Sequence, residues 1–235
     1  MNDKRLPRWT ALCCAWLAAL LTAPVAMAAD EIRLEPVKVS PHVYYFRGQA
    51  GMASADNKGF MSNAGFVVTG DGVVVYDALA TPALGEAMVR AIRKITSQPI
   101  RRVIVSHYHA DHFYGLQALK AQGAEVWAHE NGKASVQSQE ARDRLAQRRE
   151  ALAPWVNADT RLVPAERWLE FRNGKTERFE MGGLHFRVID SSGAHSDDER
   201  QAHHVLTALG RAVMRAEATR LQRTLDLAAA PATER

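Results

Sequence analysis

The sequence predicts an α/β protein, because short β-branched apolar runs alternate with segments of helical periodicity between residues 63 and 129. The turn at residues 69–72, with the sequence TGDG, separates two of these runs and is a strong hairpin signal. A cluster of polar side chains, three of them histidines, follows directly after another apolar run at 102–105. Open α/β sheets place their functional sites at such strand ends, so we expect a site there.

Local patterns define the individual elements. Runs of apolar, β-branched and aromatic side chains predict strands at 43–46, 63–68, 72–77, 102–105 and 125–129. A helix is predicted to begin after Thr81, since threonine is a good N-cap and Pro82 is tolerated at the first helical position. The buried face of this helix is predicted from Leu84, Met88 and Ile92, which are spaced by four residues.

Downstream, the same reasoning predicts two further helices and a hairpin. The helices cover 115–122 and 133–152, and the second mixes arginine with acidic residues so closely that we interpret it as a solvated surface. The hairpin joins strands at 179–180 and 184–189 around two consecutive glycines. A loop at 48–58 precedes the predicted site and is either a cover for substrate or a plain connection.

Residues 1–28 have the three parts of a secretory signal peptide. Basic residues precede an apolar run at 11–21 that is too short to span a bilayer, and Ala-Met-Ala at 26–28 precedes the predicted cleavage point. Leu12 before Cys13 argues against a lipid-modified cysteine. We therefore expect a periplasmic or secreted protein with no stable membrane anchor after cleavage, and an uncleaved anchor is the alternative.

The chain that remains has 207 residues and no cysteine, because both cysteines lie in the leader. Such a chain forms no disulfide, suits an oxidising compartment and has the length of a single domain. Its formal charge falls from +4 to about +2 once the leader is removed, which is too small to indicate nucleic-acid binding. We expect a small-molecule substrate and no nucleic-acid partner.

The strongest functional signal is a cluster of ligand-type side chains after a predicted buried strand. His107, His109, Asp111 and His112 lie within six positions of one another. Imidazole and carboxylate groups suit zinc, and a bound cation explains why so many of them stand in one loop. His195 lies in a glycine-containing turn after another predicted strand, and it is either a turn residue or, given the first cluster, the third ligand for one metal ion.

This set of residues allows one or two zinc ions. His107, His109 and His195 are predicted to bind the first ion, which lowers the pKa of a bound water to roughly 7 and so supplies hydroxide at neutral pH. Asp111 and His112 are then available for a second ion, or Asp111 acts as a catalytic proton carrier. The spacing leaves both alternatives open.

Other polar residues have less specific interpretations. Asp77 ends an apolar strand and is either a turn-forming residue or a residue that orients metal ligands. His42, His129 and His185 flank or lie in predicted strands, and we interpret them as structural.

The polar cluster resembles the H-x-H-x-D-H signature of the metallo-β-lactamase superfamily, and the resemblance extends over about residues 40–199. The matching positions are His107, His109, Asp111, His112, the later histidine His195 and the strand-end Asp77. The resemblance implies an αββα sandwich of two similar halves and a zinc-dependent hydrolase that acts on an ester, thioester or amide. More narrowly, the sequence resembles the periplasmic zinc metallohydrolases associated with quinoprotein systems.

The resemblance also implies a second half with a Gly-Asp strand end and a final histidine, and the sequence lacks both. Instead we expect an incomplete domain at 29–199 and a helical tail at 200–235. Three explanations stand: a frameshift or fusion near Asp198 that leaves an inactive fragment, a native ending that leaves a one-zinc enzyme, or a non-catalytic protein that binds zinc or a periplasmic quinoprotein. An incompletely covered sheet also predicts low stability or self-association.

Overall fold

The computed structural model describes residues 31–171 and 176–190, together with the backbone of residues 205–207. From Ile32 onward these residues belong to one compact unit. A second unit, Met1–Glu31, contains the predicted leader and, apart from Glu31, lies outside the described residues.

A seven-stranded sheet forms the larger layer. Its strands lie side by side in chain order: β1 (Val37–Lys38), β2 (Val43–Phe46), β3 (Ala64–Val68), β4 (Val73–Tyr76), β5 (Ile100–Ile104), β6 (Glu125–His129) and β7 (Arg167–Leu169). The first four strands are antiparallel neighbours, and β4 to β7 pair in parallel. The turn at 69–72 joins β3 to β4, which confirms the predicted hairpin.

The described part of the chain also contains helices that connect these strands. They are α1 (Pro82–Ile95), α2 (Ala110–Phe113), α3 (Leu116–Lys120), α4 (Gly132–Gln137) and α5 (Gln139–Ala151). The hydroxyl oxygen of Thr81 accepts the N–H of Leu84 at 3.2 Å, and Leu84, Met88 and Ile92 are completely buried. The predicted cap and buried face of α1 are therefore confirmed. Among the described residues, no helix has the length and apolar character that crossing a bilayer requires.

The single helix predicted over 133–152 is wrong, because the chain breaks it at Ser138 into α4 and α5. Ser138 has an extended backbone (φ −70°, ψ 164°), and its hydroxyl accepts the N–H of Ala141 at 3.0 Å. A serine side chain competes for backbone hydrogen bonds inside a helix and is favoured at the N-cap. Ser138 therefore ends one helix and caps the next.

A smaller layer consists of three antiparallel strands. β8 (Thr176–Met181) and β9 (Leu184–Asp190) form the predicted hairpin, and β10 (Val205–Thr207) pairs with β9. The predicted helical tail is therefore wrong at residues 205–207. This stretch contains two β-branched residues, which favour strands. Its backbone pairs with β9, and the spacing of apolar residues within the tail cannot reveal such a distant partner. The rest of the predicted tail lies outside the described residues.

Alternating side chains of the large sheet face two different cores. In β4, Val73 and Val75 pack in the core that contains the helices, whereas Val74 packs in the core shared with the smaller layer. From the smaller layer, Phe179 and Phe186 stack with ring centroids 4.6 Å apart and nearly parallel planes, and they contact this second core. Helices therefore cover one face of the sheet and the hairpin covers the other, which confirms the predicted α/β class.

The turns of the two hairpins touch each other. Gly70 donates its N–H to the carbonyl of Gly182 at 3.3 Å, and Gly182 donates its own N–H to Asp71 Oδ2 at 3.1 Å. Gly182 has a φ of +53°, and a Cβ placed there would stand 2.3 Å from the nitrogen of Gly70. Conformation and space both require glycine at this position. The contact holds the smaller layer to the sheet at the start of β4.

Candidate metal centre

The predicted ligand cluster lies at the carboxyl ends of β4 and β5, which are parallel neighbours. Just beyond β5 the chain reaches Ser106 and His107. His109 is extended (φ −84°, ψ 146°) and directly precedes α2, whose first turn carries Asp111 and whose last turn carries His112. The chain therefore passes from extended to helical backbone within the motif, at the edge where α/β sheets form sites.

The three histidine rings of the motif are in contact. The ring centroids of His107 and His109 lie 4.3 Å apart, and those of His107 and His112 lie 4.2 Å apart. His107 is buried, whereas the side chains of His112 and Asp111 remain 20% and 26% exposed. The structure thus brings together four of the five predicted ligands, and their role as ligands stays a prediction. The fifth, His195, lies outside the described residues.

Asp77 supports the cluster from the end of β4. Its buried carboxylate accepts hydrogen bonds from the backbone N–H of Ser106 (2.7 Å), from Ser106 Oγ (2.9 Å) and from His112 Nδ1 (2.8 Å). Its backbone is left-handed, with a φ of +59°, a conformation that costs a non-glycine residue about 1–3 kcal/mol. The sequence left open whether Asp77 forms a turn or orients ligands, and the contacts show that it turns the chain and orients a histidine.

His112 lies between two carboxylates. Its Nδ1 donates to Asp77, and its Nε2 lies 3.3 Å from Asp111 Oδ2. Burial alone lowers the pKa of this imidazole, but the charge of Asp77 and the hydrogen bonds to Asp111 and Asp77 raise the pKa to about 10. For the carboxyl group of Asp111 burial has the opposite effect and raises the pKa. The hydrogen bond to His112 and the charge of His112 outweigh burial, so the pKa of Asp111 lies below its ordinary value. In the metal-free protein His112 is therefore protonated at neutral pH, and a metal ion that binds its Nε2 must displace the proton.

The donor set suits zinc in its chemistry, because it consists of imidazole nitrogens and a carboxylate. Asp111 Oδ2 and His112 Nε2 lie 3.3 Å apart as an ion pair, and a metal ion bound to both would replace this direct contact. Within the described ranges, no group of three or more His, Cys, Asp or Glu side chains is arranged to hold a metal ion. The first predicted site has His107 and His109 among the described residues, and the second has Asp111 and His112. Each of the two sites therefore needs at least one further ligand.

Tyr108, between the first two histidines, anchors the motif in the protein core. Successive side chains of an extended segment point to opposite sides, and the Tyr108 side chain is buried. Its ring packs edge-on against Phe113 at 4.8 Å and lies 5.9 Å from Trp168. Gly132 makes room for this ring, because a Cβ there would stand 2.7 Å from it. Tyr108 was not predicted as a site residue, although an aromatic residue between two histidines is a local signal.

Two serines support the cluster and were not predicted as site residues. Ser106 Oγ lies 2.9 Å from His107 Nδ1, in addition to its contact with Asp77. Ser62 Oγ donates to the backbone carbonyl of Asp111 at 2.5 Å. The position of Ser106, directly between a buried strand and the first histidine, is a signal that could have identified it. Ser62 is 49 residues from its partner and has no such signal.

His129 ends β6 at the same edge of the sheet, and its contacts are those of a structural residue. Its Nδ1 accepts the N–H of Asn131 at 3.1 Å, and its ring stacks on Phe171 with centroids 5.2 Å apart. Its Nε2 lies 3.9 Å from Asp190 Oδ1, so it also links β6 to the end of β9. These contacts agree with the structural interpretation of His129.

Comparison with solved structures supports the fold. The metallo-beta-lactamase from Pontibacter korlensis has a TM-score of 0.52 and 19% identity, with 76% of this chain and 68% of that chain covered. The metallo-beta-lactamase from Hirschia baltica has a TM-score of 0.49 and 21% identity, with 76% and 68% covered. The mono-zinc form of the metallo-beta-lactamase FIM-1 from Pseudomonas aeruginosa has a TM-score of 0.49 and 16% identity, with 77% and 66% covered. The chain thus spans about two thirds of the length of these structures.

Comparison of the sequence with protein families identifies the relationship. No curated protein matches the chain. The family profile described as the metallo-beta-lactamase superfamily matches residues 57–197, which is more than half of the chain and includes the whole histidine motif. The chain therefore belongs to the metallo-beta-lactamase superfamily.

Proposed function

We propose that this chain is a zinc-dependent hydrolase that cleaves an ester, a thioester or an amide, and that it acts in the periplasm or outside the cell. The observation that carries the proposal is the contact between three histidine rings and the neighbouring Asp111 at the strand ends of the sheet. The superfamily generally binds metal ions, often zinc, which supports the choice of cofactor. The signal-peptide pattern at residues 1–28 supports the location.

The proposal gives each residue of the cluster a role. His107 and His109, together with His195, hold one ion, and Asp111 with His112 holds a second ion where two are bound. When bound, zinc supplies the Lewis acidity that activates a water molecule and polarises the scissile carbonyl. Asp77 keeps the His112 ring in place through its bond to Nδ1. Where only one ion is bound, the partly exposed carboxylate of Asp111 is instead the group that we assign to carry a proton between water and substrate.

The alternative function is that of an inactive, shortened homologue that at most binds zinc, or of a partner in a periplasmic quinoprotein system. This alternative is kept because the sequence after Asp198 shows neither the Gly-Asp strand end nor the final histidine that the resemblance implies.

Zinc content is the first test of the proposed metal site. We would dialyse the purified protein against a weak chelator and measure zinc in the parent, in His107→Ala and in His185→Ala. His185 is the matched control, because its side chain is 84% exposed and lies on the smaller layer. We expect one or two zinc ions per chain in the parent and in His185→Ala, with a clear loss in His107→Ala.

Turnover is then measured with a generic thioester and a β-lactam. Hydrolysis that requires zinc and is lost in His107→Ala supports the enzyme. Zinc binding without any turnover supports the inactive homologue. A folded parent that retains no zinc overturns the metalloenzyme proposal altogether.

A further inference from the structure

We propose that Ser106 is a positioning residue whose hydroxyl links the carboxylate of Asp77 to His107. Through this hydroxyl and through its direct bond to His112, the one buried carboxylate keeps a proton on Nδ1 of both predicted ligand histidines. The inference deepens the proposed function and rests on it for its biological meaning. The hydrogen-bond arrangement itself belongs to the metal-free protein and can be tested there.

The Ser106 hydroxyl carries a single proton. Ser106 Oγ lies 2.9 Å from Asp77 Oδ2 and 2.9 Å from His107 Nδ1, so it takes part in two hydrogen bonds and can donate only one. Asp77 is an acceptor in this network, because both of its oxygens already receive N–H groups, from the Ser106 backbone and from His112. A charged acceptor forms the stronger bond. The hydroxyl therefore donates to Asp77 and accepts from His107.

This direction determines the tautomer of His107. If Ser106 Oγ accepts from Nδ1, the proton of the neutral imidazole lies on Nδ1 and the lone pair lies on Nε2. A bond from Nδ1–H toward a carboxylate, here through one hydroxyl, also makes Nε2 a better electron donor. Ser106 thus prepares His107 to bind a metal ion through Nε2.

The same carboxylate controls His112 without an intermediate. His112 Nδ1 lies 2.8 Å from Asp77 Oδ2 but 3.4 Å from Ser106 Oγ, so its principal partner is the carboxylate. Since we assign His107 to the first ion and His112 to the second, Asp77 is shared by both predicted metal sites. Removal of the Ser106 hydroxyl should therefore affect His107 selectively, whereas a change at Asp77 should affect both histidines.

The test is nitrogen-15 NMR of the histidine side chains in the metal-free protein, at a pH where His107 is neutral. The parent is compared with Ser106→Ala and with Ser106→Thr, which keeps a hydroxyl. We expect His107 to be mainly the Nδ1–H tautomer in the parent and in the threonine variant. In the alanine variant we expect a shift to mixed or mainly Nε2–H, with the His129 signals unchanged as an internal control. A parent His107 that carries its proton on Nε2 overturns the proposal even if the alanine variant does not fold.

Zinc affinity, measured by competition with a chromophoric chelator, supplies a second readout. We expect a roughly 10–100-fold weaker first zinc in Ser106→Ala and less than about 3-fold in Ser106→Thr, in line with other partners of metal-binding histidines. Equal affinity in all three proteins overturns the positioning role. If the expected tautomers are found but neither the parent nor the variants bind zinc, the role of the Ser106 hydroxyl in positioning the His107 proton is supported and the proposed function fails.

Discussion

The two layers of the molecule differ in how deeply their strands are buried and in what they contribute to the site. In the large sheet, β3, β4 and β6 are buried over most of their length, whereas in β8 and β9 only Val188 is fully buried. Every described residue of the histidine cluster comes from the large sheet and its loops. The comparison teaches that the sheet with its helices both stabilises the molecule and forms the described part of the site, while the hairpin layer mainly covers the second face.

The largest expected effect on stability lies where the sheet supports the cluster. Asp77→Ala leaves the Ser106 N–H and the protonated His112 without their acceptor, so we expect the metal-free protein to lose about 3–5 kcal/mol of unfolding free energy. Asp71→Ala is the matched control, because it removes one exposed bond to the N–H of Gly182 and should cost less than about 1 kcal/mol. Urea denaturation measures the free energy of unfolding of both variants. Equal losses would contradict the conclusion that Asp77, after β4, stabilises the protein more than Asp71, before β4.

The second prediction compares one substitution in the two layers. Met88 in α1 is completely buried, whereas Met181 in β8 is only partly buried against the second core. We expect Met88→Ala to cost about 2–5 kcal/mol and Met181→Ala clearly less, because cavity formation requires a site that was filled on all sides. The free energies of unfolding from urea titrations give the comparison. A larger loss at Met181 would show that the hairpin layer carries more of the stability than its burial indicates.

The third prediction concerns the contact between the two hairpin turns. Gly182→Ala adds a Cβ against the Gly70 backbone at a positive φ, so we expect it to cost about 1–3 kcal/mol and to loosen the hairpin layer. Gly183→Ala has a similar φ of +77° but open space around the new Cβ, so it reports the conformational cost alone. Hydrogen exchange of the β8 and β9 amides should increase in Gly182→Ala and much less in Gly183→Ala. Identical exchange in the two variants would remove the steric part of the explanation.

The last prediction is a pH dependence of stability that arises from His112 in the large sheet and is small for each single pH unit. The pKa of His112 is about 10 in the folded metal-free protein, above its ordinary value of 6.5. Because the folded pKa is raised, its stabilising contribution is complete below about pH 6.5 and is lost as the pH rises through 10. The slope for one proton is at most about 1.4 kcal/mol per pH unit. Thermal denaturation between pH 6 and pH 10 measures it, and His112→Gln should remove this part of the slope.

The elements that the sequence predicts well are those with a local cause. The Thr81 cap, the four-residue spacing of Leu84, Met88 and Ile92, and the TGDG turn each act within a few residues, and all are confirmed. The histidine motif likewise lies within six positions. Its side chains come close together because a strand precedes the motif and a helix begins inside it. The predicted self-association stays a prediction.

The features that the sequence does not predict depend on partners distant in the chain. The guanidinium carbon of Arg102 lies 3.5 Å from the Trp127 ring centroid and 4.5 Å from that of Phe179, so β5, β6 and β8 together create its environment. Ser62 reaches Asp111 across 49 residues, and β10 exists as a strand through its pairing with β9. No periodicity within a single segment contains this information.

The order of the strands in the large sheet has a consequence for synthesis of the chain. Because β1 to β7 lie in the sheet in the order in which they are translated, each new strand finds its neighbour already made. No strand of this sheet has to wait for a partner encoded much later, and domains fold from the N-terminal side as they leave the ribosome. We therefore expect the histidine cluster, which ends at residue 112, to be able to form before the later hairpin layer has emerged, wherever the exported chain folds.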